Sequence, residues 1–414
     1  MTSEHGTRNE PTTAFVWIWL PSETTPVVCG RLDDDRGRIS YTYARSYLSR
    51  SDAIPIYEPE LPLGRDTLFS LAGNRLPLSI DDAMPDSWGR RLVNLRLGDR
   101  TGEFGELTYL LESGSDRIGA LDFQASPTEY RAREVPPPTV DDLATAAERV
   151  EKGLDLAPAL EAALLRGTSI GGARPKALLD DGSRKLVAKF SSTTDIYPVV
   201  QGEYVAMELA RRAGIQVPTV DLIQAAGRYA LLIERFDRVA HGGRAHVVSA
   251  LTVLGLNAFP GGRYASYADL ADQIRARFVN ADETLRELFA RISFNILCSN
   301  TDDHGRNHAA FIRPDGLLDL TPAYDICPQG RSGTEAAQAM AFGPDGQRDS
   351  RLDLLIDCAG VYHLDRTKAE AITEHQRDVI DTNWATVCDL AHLTESEREA
   401  FMGRQFLNPY ALGS

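Results

Sequence analysis

The chain has 414 residues, 43% of them hydrophobic and 25% charged, a balance that is typical of a soluble globular protein and excludes a fibre or a disordered tail. Because a single core stops growing at roughly 250 to 300 residues, this length predicts two or three packed subdomains. The formal net charge of -15 repels phosphate backbones and anionic lipid, and therefore argues against direct binding of nucleic acid or of a membrane surface.

The N-terminal part of the chain is predicted to be a polar tail followed by short strands. Residues 1–13 hold no apolar segment, and we expect them to be disordered. The apolar runs FVWIWL, RISYTY and IGALDF come next, separated by turn signals such as DDDRGR, and they predict a β-rich N-terminal subdomain over residues 14–125.

One helix is expected inside this subdomain, within MPDSWGRRLVNLRLG. Its apolar side chains recur at i, i+4 and i+7 and so share one face; they are Trp88, Leu92 and Leu95. Asp86 or Ser87 can cap its N-terminus. The proline-rich residues 126–140 are the predicted linker after the subdomain, because three consecutive prolines fit neither a helix interior nor a central strand.

Residues 141–240 predict a small sheet with a helix packed on it. A helix over residues 141–165 is expected first, and the segment GTSIGGARPKALLDDGSRKLVAKF then predicts strands joined by turns. Another helix is expected in GEYVAMELARRAG, ended by Gly214, and two further strands near VDLIQ and RYALLIERF.

Residues 241–414 are predicted to be mainly helical. The clearest helix lies in DETLRELFARISFNILCSN, and its apolar side chains form one stripe that we expect to be buried; they are Leu285, Leu288, Phe289, Ile292 and Ile296. The segment FIRPDGLLDL after it predicts a hairpin. No stretch of the sequence approaches the ~18 apolar residues of a membrane span.

The five cysteines predict neither a disulfide framework nor a zinc finger, because they are odd in number, widely spaced and contain no C-x-x-C pair. They are Cys29, Cys298, Cys327, Cys358 and Cys388. A reducing compartment suits such residues, and we expect a cytoplasmic protein.

The densest polar cluster of the sequence is SNTDDHGRNH, directly after the apolar helix of the C-terminal part. Asn307 in this cluster and Asp325 in LTPAYDICP offer the oxygen ligands that Mg²⁺ prefers. Asp302 can accept a proton from an attacking substrate hydroxyl, as the catalytic-loop Asp does in kinases. The order D-x₄-N followed by a later Asp is the kinase arrangement, and an Asp/Asn-rich loop that only caps a helix is the alternative.

A zinc site is a second alternative for the same cluster, since His304 and His308 are spaced i, i+4. The hydrolase motif H-E-x-x-H lacks its Glu here, because Gly305 follows His304, and glycine also disfavours a helix across the pair. A structural hydrogen bond is therefore the favoured role for His308.

Two segments of the sheet region carry candidate phosphate-binding groups. GTSIGGARPK matches neither a P-loop nor a Rossmann fingerprint, but its small residues can aim backbone N–H groups at phosphate oxygens, with Lys176 adding charge; a plain hairpin is the alternative. Lys189 lies in the apolar strand KLVAKF and needs an anionic partner, either a nucleotide phosphate or Glu203 of the next helix, unless it snorkels from an edge strand.

The run ALLIERFDR is an apolar strand that ends in charged residues, where a two-lobed nucleotide enzyme would place the hinge between its lobes. Backbone groups at Glu234 and Phe236 could then bind adenine. An ordinary edge strand with a surface Glu–Arg pair is the alternative.

Taken together, the motifs SIGGARPK, VAKF, ERFDR, NTDDHGRN and LTPAYD resemble, in order and spacing, those of the HipA-type serine/threonine kinases, which are toxins of bacterial toxin–antitoxin modules. MPDSWGRRL and RIGALDF resemble the family's N-terminal subdomain, so the resemblance spans nearly the whole chain. It implies an α+β, two-lobed protein-kinase-like fold with a β-rich N-terminal subdomain, a nucleotide-binding sheet lobe over residues 141–240 and a helical catalytic lobe over residues 241–414.

The resemblance also implies roles for individual residues. Asp302 matches the catalytic Asp, and Asn307 and Asp325 match the Mg²⁺ ligands. Ser169 matches a serine whose autophosphorylation expels the phosphate loop and silences the kinase. The positions implied to bind ATP are Gly171, Gly172, Ala173, Arg174, Pro175, Lys176, Lys189, Glu234, Arg235, Phe236, His304, Gly305, Arg306, Asn307, Tyr324 and Asp325.

The sequence departs from the family in its catalytic loop, where a familiar G-H-A-K-N is replaced by D-H-G-R-N. Asp303 is expected to add a negative charge beside the base, and Arg306 replaces a lysine without reproducing its geometry. Arg174 stands where a glutamine is common. These departures bear on the identity of the target more than on ATP binding.

The resemblance implies an ATP- and Mg²⁺-dependent kinase whose target is a cellular protein, for example an aminoacyl-tRNA synthetase such as glutamyl-tRNA synthetase. It implies a small HipB-like DNA-binding antitoxin as partner, with contact to nucleic acid only through that complex and no membrane partner. The alternative is a catalytically silent, antitoxin-binding regulatory protein that keeps the fold.

Overall fold

The computed structural model describes residues 10–70, 73–99, 103–133, 138–165, 174–239, 242–257, 261–331, 333 and 335–413. Its N-terminal part is built on a four-stranded antiparallel sheet in the order β3-β2-β1-β4, and the short apolar runs predict strands in this part of the chain. The strands are β1 (Thr13–Ile18), β2 (Val27–Asp35), β3 (Arg38–Tyr43) and β4 (Leu121–Gln124). The turn between β2 and β3 is closed by Asp34, which accepts a hydrogen bond from the Gly37 amide at 2.6 Å.

Four helices fill the long connection between β3 and β4: α1 (Arg45–Leu48), α2 (Leu78–Asp81), α3 (Ser87–Arg96) and α4 (Glu106–Glu112). The helix α3 is the predicted one, and Asp86 caps it by accepting a hydrogen bond from the Gly89 amide at 2.7 Å. The expectation of a single helix is wrong, because the other three are too short to show a helical period in the sequence.

The predicted helix over residues 141–165 is divided into α5 (Val140–Glu151) and α6 (Pro158–Leu165). The division has a local cause. Gly153 has a φ of 68°, outside the helical region, and Pro158 opens α6, where its missing N–H costs nothing.

The second sheet is antiparallel, in the order β5-β6-β8-β7. Its strands are β5 (Lys176–Asp180), β6 (Lys185–Phe190), β7 (Val220–Ala225) and β8 (Arg228–Glu234), with α7 (Val199–Arg212) between β6 and β7. The predicted strands and helix are confirmed, and Gly214 follows α7 with a φ of 86°. The predicted glycine turn lies largely in residues 166–173, outside the described residues.

The C-terminal part is mainly helical, as predicted, around a small sheet in the order β11-β10-β9. Its elements are β9 (Val247–Ser249), α8 (Ala250–Val253), α9 (Tyr267–Arg277), α10 (Ala281–Leu297), β10 (Ala309–Ile312), β11 (Leu318–Leu320), α11 (Leu352–Asp357), α12 (Arg366–Leu390) and α13 (Glu395–Phe401). The described residues of this part also form the 3₁₀ turns Gly261–Tyr264 and Ala359–Tyr362. The apolar stripe of α10 is fully buried.

Two apolar cores connect these parts. One face of the second sheet, with Leu186 and Ala188 of β6, shares a core with Val16 and Phe123 of the N-terminal sheet. The helix α7 instead shares a core with the helical part through Val205 and other residues, and α12 packs on both α7 and α10. Nowhere in the described ranges is there a helix with the length and apolar character needed to cross a bilayer.

Candidate active site

Lys189 lies at the centre of the candidate site because of the alternation of β6. Leu186 and Ala188 enter the core shared with the N-terminal sheet, so Lys189 faces the opposite side, toward α7. Its Nζ atom donates hydrogen bonds to Oε1 of Glu203 on α7 and to Oδ1 of Asp325, each at 2.5 Å. Of the two anionic partners expected for this lysine, the protein one is therefore present, and Asp325 is added to it.

The three side chains form a triad in which Glu203 is fully buried, Lys189 is nearly so, and the Asp325 side chain is 35% exposed. Burial alone would lower the pKa of Lys189, but Asp325 and Glu203 raise that pKa above its ordinary range. Burial would likewise raise the pKa of Asp325, and Lys189 holds it below its ordinary value. Burial raises the pKa of Glu203, although Lys189 opposes this shift. When both carboxylates are ionised, the triad has an excess of one negative charge and can accept a further cation.

Asp325 is held in an unusual backbone conformation. Its φ is 60°, in the left-handed region that non-glycine residues seldom adopt, and its carbonyl oxygen accepts a hydrogen bond from Asn300 Nδ2 at 3.4 Å. Backbone strain of this kind persists only where the surroundings hold it in place, and it concentrates at functional sites. In this conformation the Asp325 carboxylate contacts Lys189.

The predicted catalytic loop, Ser299 to His308, follows α10 as a series of tight turns. Ser299 leaves the helix with a φ of 52°, and the Asn307 amide donates to the His304 carbonyl at 2.8 Å. The Asn307 side chain is buried and donates to the Asp302 carbonyl at 3.5 Å, whereas the Asp302 side chain is exposed. In this loop the predicted base, Asp302, is therefore open to solvent, and the predicted metal ligand, Asn307, lies buried.

Asp303 does not place its charge beside Asp302, and that expectation is wrong. Its carboxylate is buried and accepts hydrogen bonds from Tyr267 Oη, from Asn295 Nδ2 at 2.7 Å and from His308 Nε2 at 2.8 Å. Burial alone would raise the pKa of Asp303, but His308 and these hydrogen bonds hold it below its ordinary value. The structural hydrogen bond expected of His308 is the one it makes here, while His304 is exposed.

Gly305 fits a place with no room for a side chain. A Cβ atom at this position would lie 2.8 Å from Leu251 Cδ2 on α8, which is closer than real contacts allow. Alanine is familiar at this position in the family, and the glycine found here allows α8 to pack closely under the loop.

The predicted hinge contacts the catalytic loop indirectly, through the aromatic rings of Phe236 and Tyr324. The ring of Phe236 packs on that of Tyr324 with centroids 5.6 Å apart, and Tyr324 Oη donates to the Arg306 carbonyl at 2.7 Å. The segment before Asp325 is therefore in direct contact with both the hinge and the catalytic loop.

Arg235, also assigned to the nucleotide from the sequence, has its side chain elsewhere. Its guanidinium is buried and bonded to Asp237 at 2.8 Å and to Asp116 of the N-terminal part at 3.0 Å. Glu234 ends β8, and its amide donates to the Thr219 carbonyl at 2.9 Å. Of the predicted hinge residues Glu234, Arg235 and Phe236, it is Phe236 whose side chain packs on Tyr324.

In the described part of the predicted phosphate loop, which spans residues 171–176, the two basic side chains are paired with carboxylates. Arg174 Nη2 lies 2.5 Å from Asp195 Oδ2, and the Pro175 carbonyl accepts from the Phe190 amide at 3.0 Å. Lys176 is 1% exposed and its ammonium is paired with Asp86, the cap of α3. Ser169, Gly171, Gly172 and Ala173 lie outside the described residues.

The donor set fits Mg²⁺ bound together with a nucleotide. In the described parts of the chain, no three His, Cys, Asp or Glu side chains gather closely enough to hold a metal by themselves. Mg²⁺ commonly takes only one or two protein oxygens and completes its shell with phosphate and water. Asp325, with its ionised carboxylate, and Asn307, with its amide oxygen, are ligands of that kind.

Sequence reasoning missed the contribution of the N-terminal part to this site. Asp86 binds Lys176, Asp116 binds Arg235, and Asp81 Oδ2 lies 2.6 Å from Arg306 Nη2. These acids stand far from their partners in the sequence, so no local spacing could have indicated them.

Comparisons with known proteins agree with this architecture. A family model described as the HipA-like C-terminal domain matches residues 168–384, and one described as the HipA N-terminal domain matches residues 23–124. The serine/threonine-protein kinase toxin HipA of Shewanella oneidensis is 30% identical over 187 residues, which are 38% of this chain and 42% of that protein. A protein of Sinorhizobium fredii named Y4mE is 28% identical over 329 residues, 72% of this chain and 74% of that protein.

Among solved structures, a chain in the complex of HipA, HipB and operator DNA from Shewanella oneidensis superimposes with a TM-score of 0.68. The match covers 91% of this chain and 92% of that chain, at 20% sequence identity. At this identity the likeness concerns the fold, and it confirms the predicted two-lobed α+β architecture.

Proposed function

The chain belongs to the HipA family, and from this membership we propose that it is an ATP- and Mg²⁺-dependent serine/threonine protein kinase. The observation that carries the proposal is the bonding of Lys189 to both Glu203 and Asp325. In protein kinases a lysine paired with a helix glutamate and an Asp that binds Mg²⁺ act together at the phosphates of ATP. Lys189, Glu203 and Asp325 bring the same three residue types together.

The remaining roles follow from the positions of the side chains. Asp302, exposed at the loop surface, would accept the proton of the substrate hydroxyl, and Asn307 and Asp325 would hold Mg²⁺. Residues 171–176 would hold the phosphates, and the segment Glu234–Phe236 with Tyr324 would enclose the adenine. Bound ATP would supply the phosphoryl group, and Mg²⁺ would neutralise the negative charge on that group.

We propose a HipB-like antitoxin as partner and a cellular protein, such as an aminoacyl-tRNA synthetase, as substrate. The solved relative that supports the first of these is in complex with HipB and operator DNA. The net charge of -15 indicates that a basic partner would make the contacts to DNA. Ser169 is the proposed autophosphorylation site, since a phosphate there would repel the phosphates of ATP.

The test is transfer of labelled phosphate from MgATP to the chain itself and to candidate proteins. We expect Asp302→Asn to lose at least about 10²-fold in rate while nucleotide binding is kept, because only the proton acceptor is removed. Asp319→Asn, an exposed acid on β11, is the matched control and should be unchanged. Equal transfer by the parent and Asp302→Asn would contradict the assignment, and no transfer by the parent would favour the silent regulatory alternative.

A further inference from the structure

The catalytic loop is bonded to the N-terminal part through α2, a short helix about 225 residues earlier in the chain. Arg306 lies between the proposed base and the proposed metal ligand, and its Nη2 atom is 2.6 Å from Oδ2 of Asp81. The Arg306 carbonyl also accepts the hydrogen bond of Tyr324, the neighbour of Asp325. Arg306 therefore contacts α2 through its side chain and Tyr324 through its carbonyl oxygen. Arg306 is the sequence neighbour of Asn307, and Tyr324 is the sequence neighbour of Asp325, so both proposed Mg²⁺ ligands adjoin these contacts.

Asp82, the residue that follows Asp81, supports the same loop through α8. Asp82 Oδ2 accepts the Ser249 amide and Thr252 Oγ1, each at 2.8 Å, and Oδ1 accepts Ser249 Oγ at 2.6 Å, so Asp82 fixes the start of α8. Leu251 of α8 packs against Gly305, and the Ala250 amide donates to the His308 carbonyl at 2.8 Å. Two consecutive carboxylates thus act on one loop, one directly and one through α8.

We infer that Asp81 is a positioning residue for phosphoryl transfer, through which the N-terminal subdomain sets the geometry of the catalytic loop. The inference rests on the proposed kinase function. Asp81 holds the side chain of Arg306, and the next residue, Asn307, donates its side-chain hydrogen bond to the Asp302 carbonyl. Since a displacement of about 1 Å can cost about 10² in rate, a lost tether should reduce turnover more than nucleotide binding.

Asp81→Asn is the variant that tests the inference, and Glu106→Gln is its matched control. Glu106 forms a 2.6 Å pair with Arg90 inside the same subdomain, with side-chain exposures of 23% and 33%, close to the 29% and 38% of Asp81 and Arg306. We expect Asp81→Asn to lower kcat about tenfold or more and to change KM for ATP less than about threefold. Asp81→Glu should restore most of the activity, and Glu106→Gln should resemble the parent.

Hydrogen exchange of the peptide that spans residues 300–308 gives a readout without catalysis. Asp81→Asn should speed exchange of these amides about tenfold, and Glu106→Gln should not. Unchanged kcat and unchanged loop exchange in a folded Asp81→Asn protein would overturn the inference, and so would equal changes in Glu106→Gln. A parent that transfers no phosphate would instead contradict the proposed function, while loop exchange would still decide whether Asp81 holds the loop.

Discussion

Lys189 and Asp325, which are 136 positions apart in the chain, are joined by a 2.5 Å hydrogen bond between Nζ and Oδ1. The same ammonium binds Glu203, so one cation is paired with two carboxylates that come from different lobes. The two hydrogen bonds connect the lobes through a single ammonium. It also keeps Asp325 ionised, as a ligand for a hard cation has to be.

Lys189→Met is therefore expected to unfold more easily and to bind MgATP at least tenfold more weakly. The change leaves Glu203, which is 1% exposed, without its cation, and removing one partner of a buried pair costs about 3–5 kcal/mol. Urea unfolding and nucleotide titration measure the two effects. Lys185→Met, which removes the cation of an exposed pair on the same strand, is the control.

The second variant of this test is Lys189→Met combined with Glu203→Gln. Neutralising Glu203 removes much of the uncompensated charge, so the double variant should recover part of the free energy of unfolding without recovering nucleotide binding. A Lys189→Met protein with parental stability would contradict the buried ion pair.

The sequence predicts those parts of the site that depend on local periodicity. The two-residue period of β6 places Lys189 on one face, and the position of α7 makes Glu203 its natural partner. The spacing of Asp302 and Asn307 likewise defines a single tight loop. These relationships need only a few neighbouring residues to be specified.

The rest depends on tertiary packing, which local patterns do not encode. Asp302 and Asp303 are adjacent and chemically identical, and only Tyr267, Asn295 and His308 determine that Asp303 turns inward. The pairing of Asp81 with Arg306 likewise has no sequence signal. The division of residues 141–165 into two helices, by contrast, could have been foreseen from Gly153 and Pro158.

Asp237 predicts an acid-sensitive contact between the hinge and the N-terminal part. Its buried carboxylate accepts from Arg235 and Arg238 at 2.8 Å and from the Gly119 amide at 2.7 Å. Burial alone would raise its pKa, but the two arginines hold that pKa below the ordinary value. Such a group stabilises the folded state above its unfolded pKa of about 3.9, and the contribution is lost as the pH falls toward the lower folded-state pKa.

Asp237→Asn should therefore lower the free energy of unfolding by about 3–5 kcal/mol at pH 7, with a difference from the parent that shrinks below about pH 4. Urea titrations at about pH 7, 5, 4 and 3 measure this dependence. Asp52→Asn, which removes an exposed pair with Arg50, should change little at any pH. A difference that stays constant down to pH about 3 would mean that the charge of Asp237 is not what stabilises the hinge.

The same substitution at the two adjacent acids of the catalytic loop should affect different properties: stability at Asp303 and phosphate transfer at Asp302. Asp303→Asn removes a buried charge-assisted acceptor and turns an amide toward donors on Asn295 and Tyr267, so it should lower the free energy of unfolding by about 2–4 kcal/mol. Asp302→Asn changes an exposed side chain and should leave stability within about 0.5 kcal/mol while transfer is lost.

Thermal unfolding of both variants, with transfer rates normalised to the folded fraction, separates the two roles. The folded fraction of Asp303→Asn should keep measurable transfer, because its carboxylate faces the core and not the substrate. If Asp303→Asn were as stable as the parent and as inactive as Asp302→Asn, Asp303 would be the proton acceptor. The assignment of the base would then move by one residue, and the hydrogen bonds from Tyr267, Asn295 and His308 would serve to tune its basicity.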